Sequence, residues 1–142
     1  MSAARLKKEL VEVSKDTKLT GVSVVPLTSD LKHLVGTIEG PPESPYEGGS
    51  FEVDIVIPSE YPFGPPKMKF RTKVWHPNVS SQTGAICLDI LKDNWSPALT
   101  LKTSLLSLRA LLTAAEPDDP QDAQVARQYK SNHKEYLRTA KR

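Results

Sequence analysis

Proline decides where this chain can keep regular structure. Twelve of its 142 residues are proline, and most of them lie at 41–45, 58–66, 77, 97 and 117–120. Proline lacks a backbone N–H and clashes with the preceding helical turn, so each cluster marks a rigid loop between elements. The elements must fit the intervals. Residues 3–16 read as a helix: Leu6, Leu10 and Val13 recur at i, i+4 and i+7, and charges fill the other positions. Burying those three side chains contributes ~1.5–3 kcal/mol each, enough to dock the helix on a core. Strand-like runs follow Gly21, at 22–25 and 34–39. Residues 51–57 alternate cleanly, with Phe51, Val53, Ile55 and Ile57 on one face, and 67–70 alternate too. Each connection is short, so the four strands form an antiparallel meander.

From 71 to 100 the periodicity is lost. An irregular stretch of that length in a small domain is usually functional. Helical spacing returns at Leu101, Leu105, Leu108 and Leu112, with Leu106 and Leu111 widening the stripe and Thr100 placed as N-cap. The prolines at 117 and 120 end that helix. Asp122 caps a shorter one over 123–131, and Asn132 caps another from 133 onward. The expected architecture is a single α+β domain over 1–142: an N-terminal helix, a four-stranded antiparallel sheet, an irregular segment, then C-terminal helices.

Charged residues make up 25% and apolar ones 38%, a globular composition. A net charge of only +2 argues against nucleic-acid or membrane binding through bulk charge. The charge is uneven. Arg5, Lys7, Lys8, Lys15 and Lys18 crowd one end, Arg127, Lys130, Lys134, Arg138, Lys141 and Arg142 the other, and Glu116, Asp118, Asp119 and Asp122 form an acidic patch between them. Such basic faces are solvated surface or docking faces for an acidic protein. No stretch approaches the ~20 apolar residues of a membrane span, and the start Met1-Ser2-Ala3-Ala4-Arg5 lacks the apolar core of a secretory signal. With one cysteine, the expectation is a reducing compartment, the cytosol or nucleus.

That cysteine, Cys87, stands nine residues after Asn78, which closes the word His76-Pro77-Asn78. Three readings compete. Cys87 is a small core residue beside Ile86 and Leu88, or the nucleophile of a Cys-His-Asn hydrolase, or a thioester carrier. The hydrolase reading is weak. His76 precedes a proline in a tight loop, which suits a structural hydrogen bond better than a mobile base. Asp89, two residues past the thiol, disfavours a thiolate. Exchange with an already activated thioester needs no strong base.

The surrounding words are more specific. Ser44-Pro45-Tyr46-Glu47-Gly48-Gly49, Tyr61-Pro62-Phe63-Gly64-Pro65-Pro66, His76-Pro77-Asn78, Gly84-Ala85-Ile86-Cys87-Leu88-Asp89-Ile90-Leu91 and Trp95-Ser96-Pro97-Ala98 occur in that order at short spacings. In these words, and over essentially its whole length, the chain resembles the ubiquitin-conjugating enzymes. The resemblance implies that Cys87 accepts the C-terminal glycine of ubiquitin from the ubiquitin-activating enzyme by transthiolation. Cys87 then passes it to a substrate lysine or a ligase cysteine, with polyubiquitin chains a further expected product. It implies that Asn78 donates to the oxyanion or holds the active-site loop, and that Asp119, with Asp118 as its rival, positions or deprotonates the incoming lysine. His76, Leu88 and Asp89 are expected to support the site. Arg5 and Lys8 match positions that dock the activating enzyme. Phe63, with Ser96, Pro97 and Ala98, matches the contacts for RING or HECT ligases; the other reading of Phe63 is an ordinary core aromatic. The Tyr61–Pro62 bond is expected to be cis. No cofactor or metal is expected on this chain, since ATP and magnesium serve the upstream activating enzyme, and the protein is expected to be a monomer.

Segments 91–95 and 118–123 look most like the subgroup that carries a ubiquitin-associated domain after the catalytic core, so the chain is expected to be the core of a longer protein. Two other readings are a conjugating enzyme for a ubiquitin-like modifier and a non-catalytic ubiquitin-binding variant. The second is opposed by the presence of Cys87. The SUMO-specific type of the first is opposed by the absence of an insertion between Cys87 and Trp95.

Overall fold

A computed structural model describes residues 3–142. Helix α1 (Ala3–Ser14) buries Leu6, Glu9 and Val13. It stops two residues short of the expected end because Asp16 takes a left-handed φ of 57°, which Asp tolerates better than most residues. A separate one-turn helix, α2 (Thr17–Thr20), follows and ends at left-handed Gly21.

The four strands β1 (Val22–Pro26), β2 (His33–Glu39), β3 (Ser50–Val56) and β4 (Lys67–Phe70) form an antiparallel sheet in sequence order. The register sets Val22 opposite Ile38, Gly36 opposite Val53, Leu34 opposite Ile55 and Val53 opposite Phe70. Residues directly opposite share a face, so this pairing gathers the alternating apolar residues of all four strands on one side. Val22, Leu34, Ile38, Val53, Ile55 and Phe70 are buried there.

Helix α3 (Leu101–Leu111) crosses that face, packing on β1, β2 and α1. Its stripe of Leu101, Leu105 and Leu108 is fully buried. Gly36 permits the close approach: a Cβ there would meet Leu105 at 3.1 Å and Ile55 at 3.2 Å. Thr100 caps α3 by accepting from the Thr103 N–H. Asp122 caps α4 (Ala123–Ser131) and Asn132 caps α5 (His133–Ala140), each as its sequence position implied. A buried polar network fastens α4 and α5 to the body. The Tyr46 hydroxyl bonds the Trp75 carbonyl (2.6 Å) and the Tyr136 hydroxyl (2.7 Å), and Trp75 Nε1 donates to Gln128 (2.7 Å). Among the described residues, no helix is long and apolar enough to cross a membrane.

Between β4 and α3 the chain is irregular, with one 3-10 turn at Asp89–Leu91. Isolated bridges hold it: Lys69 with Ala85, His76 with Val79, and Val79 with Ile86. Gly84 anchors this segment to the sheet. Its carbonyl accepts from the Phe70 N–H (2.9 Å), its φ is +81°, and a Cβ there would lie 2.2 Å from the Phe70 carbonyl oxygen. The left-handed backbone and the collision act together. Gly84→Ala should therefore lower stability by at least ~2 kcal/mol, measured by urea unfolding. A wild-type midpoint would show that this anchor is dispensable.

Candidate active site

His76 and Asn78 turn inward from the irregular segment, and the thiol of Cys87 stays half-exposed. His76 is fully buried. Its Nδ1 accepts the Asn78 N–H at 3.0 Å, so the proton sits on Nε2, which donates to the Leu111 carbonyl at 2.7 Å. Burial pushes its pKa down to about 4, only partly opposed by the bond to Leu111. Buried and engaged at both ring nitrogens, His76 is placed as a strut, with neither nitrogen free to take a proton from the thiol.

Asn78 is 1% exposed. Its Nδ2 donates to the carbonyls of Glu116 (3.0 Å) and Asp119 (2.8 Å), and its Oδ1 accepts the Glu116 N–H (2.8 Å). Both amide hydrogens are thus spent on the loop that precedes α4. Of the two expected roles, this arrangement has the geometry of loop support. The Asn78 carbonyl accepts the Cys87 N–H at 2.8 Å. Neighbouring bonds close the same seam. Pro77 O accepts from the Gln121 and Asp122 N–H groups, and the Asp122 carboxylate takes both the N–H and the hydroxyl of Ser81. Partial burial works against the charge on Asp122, but those bonds and the capped N–H groups of Gln124 and Val125 outweigh it and hold its pKa below the ordinary value.

The seam brings Asp119 to the thiol, with Oδ2 3.6 Å from Cys87 Sγ. Its rival Asp118 turns away and pairs with Lys130. On another side of the sulfur lies Lys92, whose Nζ is also 3.6 Å from Sγ. No local pattern in the sequence singles out Lys92. The turn at Asp89–Leu91 folds it back, and Asp89 orders that turn by accepting from the Ile90 N–H and the Asn94 amide. Beside the thiol opens a cleft of about 400 Å³ lined by Leu88, Asp89, Ser107, Ala110, Ala114 and Glu116, among others. Ser107 and Ala110 on α3, and Ala114 just past its end, recur at i, i+3 and i+7 and line the cleft with Leu111. That small-residue spacing was a legible signal of a groove floor, and it was missed.

The remaining expected contacts lie apart from the cleft. Phe63 is 81% exposed, which excludes the core-aromatic reading. Ser96, Pro97, Ala98 and Lys8 are exposed. Arg5 is different. Its guanidinium turns inward to Glu9 and to the carbonyls of Pro97 and Leu99. The Tyr61–Pro62 bond is cis.

A family model described as ubiquitin-conjugating enzyme matches residues 5–142. The chain is 58% identical over 138 residues to "Ubiquitin-conjugating enzyme E2 27" of Arabidopsis thaliana, covering 97% of this chain and 72% of that one. It is 54% identical over 143 residues to "Ubiquitin-conjugating enzyme E2 K" of Homo sapiens, covering 99% and 72% respectively. The E2 domain of a Toxoplasma gondii ubiquitin conjugating enzyme superposes with a TM-score of 0.90 at 56% identity, covering 97% of this chain and 92% of that one.

The strut makes a pH prediction. The folded chain keeps His76 neutral down to about pH 4, whereas the unfolded chain takes up its proton near 6.5. The stability that depends on neutral His76 is therefore complete above about pH 6.5 and is lost as pH falls toward 4, by ~3 kcal/mol over the full shift. Urea unfolding across that window should show a smaller loss in His76→Gln than in the wild type. Parallel losses would contradict the assignment.

Proposed function

The chain belongs to the ubiquitin-conjugating enzymes, and from that premise we propose that Cys87 carries ubiquitin as a thioester and surrenders it to an amine. The observation that supports this most is the setting of the thiol: half-exposed at the rim of an open cleft, with one carboxylate and one ammonium each 3.6 Å from the sulfur.

In the loading step, the Cys87 sulfur attacks the carbonyl carbon that joins ubiquitin to the activating enzyme. The activating enzyme's sulfur leaves as a thiolate, and the proton that the Cys87 thiol gives up to solvent balances the one that thiolate takes up. Lys92 steadies negative charge on the sulfur while the bond forms. ATP and magnesium are consumed upstream, by the activating enzyme. The extended tail of ubiquitin lies along the floor of Ser107, Ala110 and Ala114, where small side chains leave room. In discharge, a lysine amine attacks the same carbonyl carbon and the C–S bond breaks. The amine's proton goes to Asp119, and the thiol is restored. A positioned base of this kind is worth ~10²–10⁴ in rate. Asn78 acts as a positioning residue: it holds Asp119 at the thiol. The exposed Phe63 and the loop 96–98 receive a RING or HECT ligase, and Lys8 contributes to docking the activating enzyme.

Incubation with ubiquitin, activating enzyme, ATP and magnesium, followed by a non-reducing gel, should give a ubiquitin adduct. It should vanish with reductant and be absent in Cys87→Ala; no adduct from the wild type would refute the carrier role. Asp119→Ala should load normally but discharge to free lysine ~10²-fold more slowly, whereas Asp118→Ala should match the wild type. Equal discharge by Asp119→Ala would remove the base from the mechanism.

A further inference from the structure

Helix α1 carries a buried polar residue that the transfer chemistry does not use. Glu9 falls within the apolar stripe of α1, between Leu6 and Val13, and is 6% exposed. A carboxylate removed from water in this way is costly unless donors surround it. Three groups supply them. The Tyr61 hydroxyl reaches both oxygens (2.7 and 2.9 Å), the Leu101 N–H donates at 2.8 Å, and Arg5 Nε donates at 2.8 Å. Burial first, and the bond to Glu9 second, push the Tyr61 pKa well up, so its hydroxyl stays a donor.

Each donor is the root of something exposed. Tyr61 begins the Tyr61-Pro62-Phe63 loop. Leu101 is the first residue of α3 and follows the loop 96–99 after the cap Thr100. Arg5 extends Nη2 to the carbonyls of Pro97 (3.0 Å) and Leu99 (3.1 Å) in that same loop. Trp95 then ties the loops together: its Nε1 donates to the Pro62 carbonyl at 2.8 Å, and its ring lies 5.7 Å from that of Tyr61. Neither loop belongs to a helix or strand. Local turns shape each one, as in the bonds from the Phe63 N–H to the Glu60 carbonyl and from the Leu99 N–H to the Ser96 carbonyl. The bonds above tie the two loops to the body and to each other.

We propose that Glu9 is the positioning residue that assembles the Phe63 loop and the 96–98 loop into one preformed docking surface. The inference rests on reading those loops as ligase contacts. Disordered contact loops would have to be ordered on binding, at ~0.5–1.5 kcal/mol per immobilised side chain, and affinity would fall accordingly. Glu9 does the ordering in advance. The same geometry directs Arg5 inward, which leaves Lys8 as the outward cation of the two.

Glu9→Gln tests this directly. The Gln carbonyl can replace Oε1, which serves Tyr61 and Leu101, but its NH₂ group then faces Arg5 and releases the arm on Pro97 and Leu99. Tyr61→Phe removes the other arm and keeps the carboxylate. Amide hydrogen exchange on the whole chain should quicken at 95–99 in Glu9→Gln and at 61–64 in Tyr61→Phe, while β2 and the middle of α3 exchange as in the wild type. With an isolated RING domain chosen because it accelerates discharge from the wild type, Glu9→Gln should need about tenfold more of it for half-maximal effect. Discharge of the preloaded variant to free lysine without the RING domain should not change. Unchanged exchange and RING response would overturn the proposal. So would an equal fall in assisted and unassisted discharge, which would make Glu9 a support of the whole fold. If the wild type forms no adduct, the functional reading fails, and the exchange experiment still decides whether Glu9 orders the loops.

Discussion

The buried amide of Asn78 joins two segments that the sheet cannot organise. One carries Cys87 and the other carries Asp119, and neither has a strand or helix to satisfy its backbone. Asn78 supplies the partners instead, accepting from Glu116 and donating to Glu116 and Asp119, while its own carbonyl holds Cys87. Removing a buried partner of this kind strands donors and acceptors at ~1–3 kcal/mol each. The separation of thiol and carboxylate is thus set by a neighbour that touches neither the sulfur nor the carboxylate oxygens.

Glu9 repeats this solution beside the Phe63 loop. Both are polar residues buried at 6% exposure or less. Asn78 spends its side chain on irregular backbone. Glu9 spends its own on two side chains and the first N–H of α3, at the roots of irregular loops. Irregular backbone cannot hydrogen-bond itself as a strand or helix does, so a loop that must keep one shape needs an internal substitute. Rigid loops suit a thiol that receives an already activated acyl group. Such a thiol needs positioned neighbours and open access more than a strong local base. The open cleft and the 81% exposed Phe63 fit that requirement.

Much of this was legible in the sequence because period and caps act locally. The alternation in 51–57 fixes which face is buried, and the leucines of α3, with caps at Thr100, Asp122 and Asn132, mark helices whose ends need only neighbouring atoms. Cys87 and the words around it were legible as a pattern. Other features depend on chain segments far apart. Glu9 looked like one of the charges on a solvated helix face until Tyr61 and Leu101, 52 and 92 residues away, came to it. Arg5 read as a surface cation for the same reason. Lys92 reaches the thiol only because a 3-10 turn reverses the chain. The choice between Asp118 and Asp119 depends on which way one loop residue faces, and no period carries that information.

The positioning role proposed for Asn78 requires that it act through Asp119. A double-mutant cycle on discharge of the preloaded thioester to free lysine, using Asn78→Ala, Asp119→Ala and both together, measures it most directly. If Asn78 only holds Asp119 in place, the double variant will discharge no more slowly than Asp119→Ala alone. If the two losses multiply, Asn78 stabilises the transition state independently, as an oxyanion donor would, and the positioning account is wrong.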